Sequence, residues 1–211
     1  MTQNLYPDDN DALSHWNQRF SSPEFIFGTE PNQWLSAHAK VWRPGHRILC
    51  VADGEGRNSV WLAQQGMRVD AFDLSDLGVA KARRLAQERG VDVNFSIADC
   101  DDFEYPQEHY DGVAAIFIQF ADPDMRGRLF GHIKRCLKPG GFLLLQGYTP
   151  EQLVYKTGGP SLESHLYSEA LIRGEFADFD VQILESYEAV LDEGPRHSGR
   201  SALLGMVARK P

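Results

Sequence analysis

Between residues 47 and 148 the sequence alternates short apolar runs with longer amphipathic stretches. The apolar runs are RILCVA, RVDAFDL, VDVNFSIAD, DGVAAIFI and FLLLQGY, and each is short enough to be one strand. This alternation predicts a parallel sheet with helices on both faces. Continuous apolar runs such as VAAIFI are expected for strands that are covered on both sides.

The segments on either side of this region follow other patterns. Residues 11–20 (DALSHWNQRF) predict a short helix, and FGTEPNQWLSAHAKVW predicts a second helix that begins at Pro31. Beyond residue 148, the helix LYSEALIRGEFAD precedes two strand-like segments that are joined by the nine-residue loop DEGPRHSGR. These two segments predict a hairpin whose last strand runs antiparallel.

The predicted fold is therefore α/β: a doubly wound, Rossmann-like sheet of seven strands, mostly parallel with an antiparallel last strand. Residues 1–211 are expected to form a single domain, because the sequence shows no internal repeat, low-complexity tract or linker. Residues from about 10 to 40 are expected to form a helical lid at the N-terminus.

Composition narrows the choice of partners and compartment. The formal net charge is -9 and the pI is near 5.2, which disfavours nucleic acid as a partner because phosphates are neutralised by clustered Lys and Arg. The three cysteines have no metal-ligand spacing, so no metal site is expected, and their odd number suggests a reducing compartment. The sequence also contains no apolar run long enough to cross a membrane. We expect a cytoplasmic protein.

Polar and glycine residues follow three successive predicted strands. Asp53-Gly54-Glu55-Gly56 follows the first strand, Asp73 ends the second, and Asp99-Cys100-Asp101 ends the third. In an open α/β sheet, ligands bind beyond the carboxyl ends of the strands. A carboxylate at Asp73 can accept hydrogen bonds from a ribose diol, and one at Asp99 can accept from an adenine amine. The three strand ends together predict a site for an adenosyl ligand.

With these motifs, the chain resembles the class I S-adenosylmethionine-dependent methyltransferases over nearly its whole length. Residues 48–60 (ILCVADGEGRNSV) are similar to that family's first motif, and LKPGGFLLL is similar to the turn before its fifth strand. The flanking segments HWNQRF, FIFGTEPNQWL, YTPEQL and DEGPRHSG resemble small bacterial methyltransferases of the tellurite-resistance or thiopurine type.

The resemblance implies S-adenosyl-L-methionine as the cofactor. The residues that it places around this cofactor are Arg19, Gly28, Asp53, Gly54, Glu55, Gly56, Asn58, Asp73, Leu74, Asp99, Cys100, Asp101 and Phe117. This chain departs from the family pattern at two positions, with Cys50 in place of an acidic residue and Ala52 in place of the first glycine. We hypothesise that Asp53 supplies the charge that is missing at position 50.

The methyl acceptor is expected to be a small molecule, with a thiol or chalcogen compound as one option. Its candidate contacts are Trp16, Gln119, Tyr148, Arg196 and His197. An oxygen or nitrogen acceptor would make His197 or Tyr148 the first candidate for proton transfer, but no catalytic residue is assigned. The alternative function is a non-catalytic adenosyl-binding module of the same fold. A nicotinamide-dependent oxidoreductase is disfavoured, because Ser59 stands where a dinucleotide fingerprint has its third glycine.

Overall fold

The computed structural model describes residues 11–194 and 197–211 and contains one seven-stranded sheet. The strands are β1 Arg47–Cys50, β2 Arg68–Asp73, β3 Asn94–Ile97, β4 Tyr110–Ile116, β5 Leu137–Tyr148, β6 Asp180–Asp192 and β7 Ser198–Arg209. Their order is β3-β2-β1-β4-β5-β7-β6. The pairs among β1 to β5 are parallel, and β7 is antiparallel to both β5 and β6. The predicted mostly parallel sheet with an antiparallel last strand is confirmed.

Seven α-helices surround this sheet in the described residues. They are α1 Ala12–Phe20, α2 Gln33–His38, α3 Arg57–Gln64, α4 Asp76–Arg89, α5 Pro123–Cys136, α6 Gln152–Tyr155 and α7 Glu169–Glu175. The predicted start of α2 at Pro31 is wrong by two residues. Asn32 is the N-cap, because its side chain accepts a hydrogen bond from the backbone N–H of Leu35 at 2.9 Å.

Successive residues of β1 face opposite sides of the sheet and pack against different helices. Leu49 belongs to the apolar layer that includes Leu129 of α5 and Phe176 of α7. Ile48 belongs to the layer on the other face, which includes Leu35 of α2 and Leu62 of α3. Helices therefore cover both faces, and this explains why the central strands carry apolar residues at consecutive positions.

The C-terminal hairpin is longer than the sequence predicts, since β6 and β7 leave only residues 193–197 between them. Backbone hydrogen bonds from Glu193 N to His197 O at 2.9 Å and from His197 N to Gly194 O at 3.0 Å close the turn. Arg196, a predicted acceptor contact, lies outside the described residues. None of the helices in the described ranges combines the length and the apolar character that crossing a membrane requires.

Candidate active site

The site lies at the switch point of the sheet, where the strand order turns outward from β1 to β2 on one side and to β4 on the other. Ala52 follows β1 with φ 48°, and Phe117 follows β4 with φ 56°. A left-handed backbone at a non-glycine residue costs on the order of 1–3 kcal/mol and is concentrated at functional sites. The conformation at Ala52 also gives the physical reason for the glycine that the family pattern has there.

Gly54 and Gly56 form the predicted turn, and both have positive φ, at 59° and 89°. A Cβ on Gly56 would lie 2.7 Å from the Cβ of Ala82 in α4, so this glycine lets α3 and α4 approach each other. A Cβ on Gly54 would lie 3.3 Å from the Phe20 ring. Gly54 N donates to Asp73 Oδ2 at 2.9 Å. The turn is therefore fixed by α1, α4 and the end of β2 together.

Asp73 at the end of β2 is 9% exposed, and both of its carboxylate oxygens accept backbone hydrogen bonds. Oδ2 accepts from Gly54 N and Oδ1 accepts from Ser75 N, each at 2.9 Å. Burial raises the pKa of Asp73 to about 6, against the effect of these two hydrogen bonds. A carboxylate has about four acceptor positions, so about two remain for a ligand diol. Asp73, with Leu74 beside it, thus fits the ribose of an adenosyl cofactor.

Asp53 lies between the glycine turn and α3, and its Oδ2 accepts a hydrogen bond from Ser59 Oγ. Its Oδ1 is buried and has no hydrogen-bond partner among the described residues. Burial raises the pKa of Asp53 to about 7, and Ser59 opposes this shift. Cys50 lies in the apolar layer beneath α2 and α3, and it is 1% exposed. The hypothesis that Asp53 replaces an acidic residue at position 50 stays a prediction.

The end of β3 supplies a second set of acidic residues, but their contacts differ. Asp99 Oδ1 accepts from Asp101 N at 2.8 Å and so shapes the turn. Asp101 forms a two-bond ion pair with Arg128 at 3.0 and 2.7 Å on the surface. Cys100 is buried in the apolar layer next to Tyr105. Both carboxylate oxygens of Asp101 thus accept hydrogen bonds from Arg128 of α5, whereas no such ion pair is formed by Asp99 among the described residues.

Unpaired buried thiols are found at all three cysteines, Cys50, Cys100 and Cys136. Burial raises the pKa of each thiol, so each is protonated at neutral pH. Within residues 11–194 and 197–211, no group of three or more His, Cys, Asp or Glu side chains is arranged to hold a metal ion.

Helix α1 packs against the first residues of α4, and these residues follow Asp73 closely in the sequence. Asn17 Nδ2 donates to Asp76 Oδ1 at 2.7 Å, and Ser75 Oγ donates to Asn17 Oδ1 at 2.5 Å. Phe20 is 3% exposed and packs on the glycine turn. The predicted acceptor contact Trp16 stacks on Phe20 with ring centroids 5.6 Å apart. The predicted helix thus covers the glycine turn, through contacts at Asn17 and Phe20 that sequence reasoning missed.

Arg19, the predicted cofactor contact on α1, lies close to the Trp16 ring. Its guanidinium carbon is 5.3 Å from the ring centroid, a cation–π geometry. The Arg19 charge also helps to lower the pKa of His197.

Glu55, Asn58 and Gly28 tie the segment before α2 to the glycine turn. Glu55 pairs with Lys81 Nζ at 2.5 Å and accepts from the backbone N–H groups of Ile26 and Phe27 at 3.2 and 3.1 Å. Asn58 Oδ1 accepts from Asn32 N at 2.9 Å. A Cβ on Gly28, whose φ is 71°, would lie 3.7 Å from the backbone of Glu193. These predicted cofactor residues hold the wall of the cleft in the structure.

A buried polar network joins this wall to the hairpin tip. The Glu193 carboxylate accepts from Arg57 Nη2 at 2.8 Å, from Asn32 Nδ2 at 3.1 Å and from Gln33 N at 2.9 Å. Asn32 Nδ2 also donates to Gln146 Oε1 at 2.6 Å. Arg57 and Glu193 were not predicted from the sequence. The only sequence signal for this pair was that Arg57 and Glu193, which carry opposite charges, lie in two segments that resemble the family, residues 48–60 and 192–199.

Four rings meet where β4, β5 and the hairpin tip converge. The His197 centroid lies 4.6 Å from Phe27, 4.4 Å from Phe117 and 6.0 Å from Tyr148, and Phe117 lies 4.7 Å from Tyr148. Burial lowers the pKa of His197 to about 3, and the charges of Arg57 and Arg19 act in the same direction. Its imidazole is therefore neutral at physiological pH.

Two buried polar atoms of these rings, Tyr148 Oη and His197 Nδ1, have no hydrogen-bond partner in the described part of the chain, and the same holds for Arg57 Nη1 of the neighbouring network. Gln119 behaves differently, because its amide is fully engaged. Its Nε2 donates to the carbonyls of Tyr148 and His165 at 2.9 and 3.0 Å, and its Oε1 accepts from Tyr148 N at 2.5 Å. Gln119 therefore fixes the backbone of Tyr148, while Tyr148 and His197 keep hydrogen-bonding capacity for a ligand.

Comparison with known proteins gives a matching family model, sequence relatives and structural neighbours. Residues 48–141 match the family model described as a methyltransferase domain. A ubiquinone biosynthesis O-methyltransferase of Paramagnetospirillum magneticum is 34% identical over 100 residues, which are 47% of this chain and 39% of the relative. The chain thus spans about two fifths of that relative's length.

Two solved structures share the fold along most of the chain. One comes from work on the conversion of a disulfide bond into a thioacetal group during echinomycin biosynthesis. It has a TM-score of 0.76 at 18% identity and covers 95% of this chain and 92% of that one. TehB from Haemophilus influenzae has a TM-score of 0.70 at 16% identity, with 94% and 67% covered.

Residues 48–141 are thus similar to methyltransferase domains, and the two solved structures share the fold of most of the chain. The narrower resemblance to tellurite-resistance or thiopurine enzymes is matched at the level of the fold alone, by TehB at 16% identity, so it stays a prediction.

Proposed function

We propose that this chain, with its methyltransferase domain at residues 48–141, transfers a methyl group from S-adenosylmethionine to a small thiol or chalcogen compound. The observation that carries the proposal is Asp73. It is a buried carboxylate beside the Gly54 turn, at the end of a strand next to the switch point, with acceptor positions left for a diol.

The residues around the cleft divide into two groups by position. Asp73 and Asp99 would hold the nucleoside, while Gly54 and Asp53 would face the methionine part beside the end of β1. Arg19 would pair with a carboxylate. When bound, the cofactor supplies a methyl group that is already activated on a sulfonium, so the protein mainly has to align the acceptor and exclude water.

The state of the two titratable groups at the rings favours an acceptor that needs no strong base. The pKa of His197 is lowered to about 3, and burial raises the pKa of Tyr148, which keeps its phenol protonated. A general base works best when its pKa is near the operating pH, and neither group meets that condition. A thiolate or chalcogen anion is already a competent nucleophile. The two structural neighbours named above, one from disulfide chemistry and the other TehB, are consistent with this choice.

We propose further that residues from about 10 to 40 act as a lid and that residues 1–211 form one domain. The contacts of Asn17 with Ser75 and Asp76, and of Phe20 with the glycine turn, support this role for α1. The three unpaired thiols are consistent with a cytoplasmic protein, and the net charge of -9 with a small-molecule acceptor rather than nucleic acid.

Calorimetry followed by a turnover assay tests the proposal. We expect S-adenosylmethionine and its demethylated product to bind and NAD not to bind. With the cofactor present, we expect methyl transfer to at least one acceptor in a panel of thiols, selenite, tellurite and thiopurines. Binding of NAD alone would contradict the proposal. Binding of S-adenosylmethionine without turnover on any member of the panel would favour the non-catalytic module.

A further inference from the structure

We propose that Arg57, Tyr148 and His197 form an anion-binding subsite in the acceptor pocket, and that it takes a negatively charged group of the methyl acceptor. The inference rests on the proposed function, since it assigns a charge to the acceptor of the same site. Phe27 and Phe117 form the apolar walls of this subsite, because both rings contact His197.

Arg57 is the charged member of the subsite and is almost fully enclosed. Its side chain is 7% exposed, and Nη2 donates to Glu193 at 2.8 Å. Its Nη1 is buried and has no protein acceptor within the described residues. A buried donor without an acceptor costs about 1–3 kcal/mol, and more when it is charged. A ligand that brings an oxygen or sulfur anion to Nη1 removes this cost.

Glu193 does not cancel the requirement for an anion at Arg57. Its carboxylate is shared among Arg57, Asn32 Nδ2 and Gln33 N. Asp53 also interacts with the Arg57 charge, but its carboxylate accepts from Ser59 and its pKa is raised to about 7. The Nη1 atom of Arg57 therefore has no acceptor among the described residues and is available to a ligand.

Tyr148 and His197 are linked to Arg57 through Glu193 and the hairpin tip. Arg57 Nη2 donates to Glu193, whose backbone N donates to His197 O at 2.9 Å. The His197 and Tyr148 ring centroids are 6.0 Å apart, so the three side chains follow one another along the hairpin tip. Tyr148 is 1% exposed, and its Oη, like His197 Nδ1, has no hydrogen-bond partner in the described ranges. Arginine, a phenol and a neutral imidazole together present N–H and O–H donors, which is the chemistry that recognises an anion.

The test uses the protein saturated with S-adenosylhomocysteine and titrated with benzoate or benzamide, which match in size and differ in charge. We expect benzoate to bind at least tenfold more tightly than benzamide. Tyr148→Phe, which keeps the ring and the Arg57 pair, should weaken benzoate binding about three- to tenfold. Arg57→Lys should remove most of the preference for benzoate, because lysine lacks the second donor arm.

Tyr167→Phe is the matched control, since Tyr167 is also a 1% exposed tyrosine whose hydroxyl lacks a described partner. Its ring packs against Phe130 in the layer of α5 and α7, whereas Tyr148 belongs to the separate cluster with Leu191 and Leu203, so Tyr167→Phe should leave benzoate binding unchanged. Equal affinity for benzoate and benzamide, or an unchanged affinity in Tyr148→Phe, would overturn the subsite.

The outcome also separates this inference from the proposed function. Failure of S-adenosylhomocysteine to bind the wild-type protein would overturn the proposed function itself. Normal binding of S-adenosylhomocysteine with no preference for benzoate would overturn only the anion subsite. Loss of S-adenosylhomocysteine affinity in Tyr148→Phe and Arg57→Lys, with the benzoate preference retained, would assign Arg57 to the cofactor and overturn the inference as well.

Discussion

Arg57, the first residue of α3, donates to Glu193 at the hairpin tip across 2.8 Å in space and 136 positions in sequence. Both side chains are buried, at 7% and 3% exposure. Because Glu193 also accepts from Asn32 and Gln33, a single carboxylate joins the glycine turn, the start of α2 and the β6–β7 hairpin.

The first prediction concerns this carboxylate. Glu193→Ala should lower the free energy of unfolding by about 3–5 kcal/mol, because Arg57 is then a buried charge without its counter-ion. Urea unfolding at neutral pH measures the change. Glu188→Ala is the control: Glu188 pairs with Arg200 on the surface, so its loss should cost at most about 1 kcal/mol. Equal effects of the two substitutions would mean that the buried network does not hold the hairpin tip.

Gly56 is constrained both by its positive φ and by the close approach of Ala82. Gly56→Ala should destabilise the protein by about 2–4 kcal/mol, because its Cβ would meet Ala82 at 2.7 Å in a left-handed backbone. Gly90→Ala shares the positive φ but has open space around the added Cβ, so it should cost only about 1 kcal/mol. Thermal unfolding compares the two variants. A Gly56 variant no less stable than the Gly90 variant would contradict the proposed α3–α4 contact.

The third prediction follows from the raised pKa of Asp53. Because its pKa in the folded state is about 7 and the ordinary value is 3.8, the folded form binds the proton more tightly. The stability that Asp53 contributes is therefore present below pH 4 and is lost as the pH rises to 7. The free energy of unfolding of Asp53→Asn minus that of wild type should therefore be larger at pH 8 than at pH 5, and urea unfolding at both pH values measures this difference. The same difference at both pH values would show that Asp53 does not titrate in this range.

Most of the fold follows from local patterns in the sequence. The apolar runs from Arg47 to Tyr148 predict the parallel strands, since their period and length reflect burial on both faces. The start of α2 was placed too early because Pro31 favours a helix start, whereas the Asn32 side chain caps the helix one residue later. Local signals of similar strength compete at such boundaries, and tertiary contacts decide between them.

Local patterns predicted the site residues that follow strand ends, and the family resemblance added residues such as Trp16 and His197. Asp73 and Gly54 belong to the first group, and the structure brings them within 2.9 Å of each other. The pairs Glu55–Lys81 and Arg57–Glu193 depend on how separate elements pack, and no local pattern encodes them. Among the predicted cofactor acids, Asp101 turned to a surface arginine, a contact that its position after β3 does not reveal.

We propose that Asp73 holds the ribose of S-adenosylmethionine, and calorimetry with S-adenosylhomocysteine measures this role. Asp73→Ala should weaken binding by about 1–3 kcal/mol through lost hydrogen bonds. Asp101→Ala removes an acid whose carboxylate pairs with Arg128 on the surface, so it should bind like wild type. Unchanged affinity in Asp73→Ala, or an equal loss in Asp101→Ala, would contradict the claim.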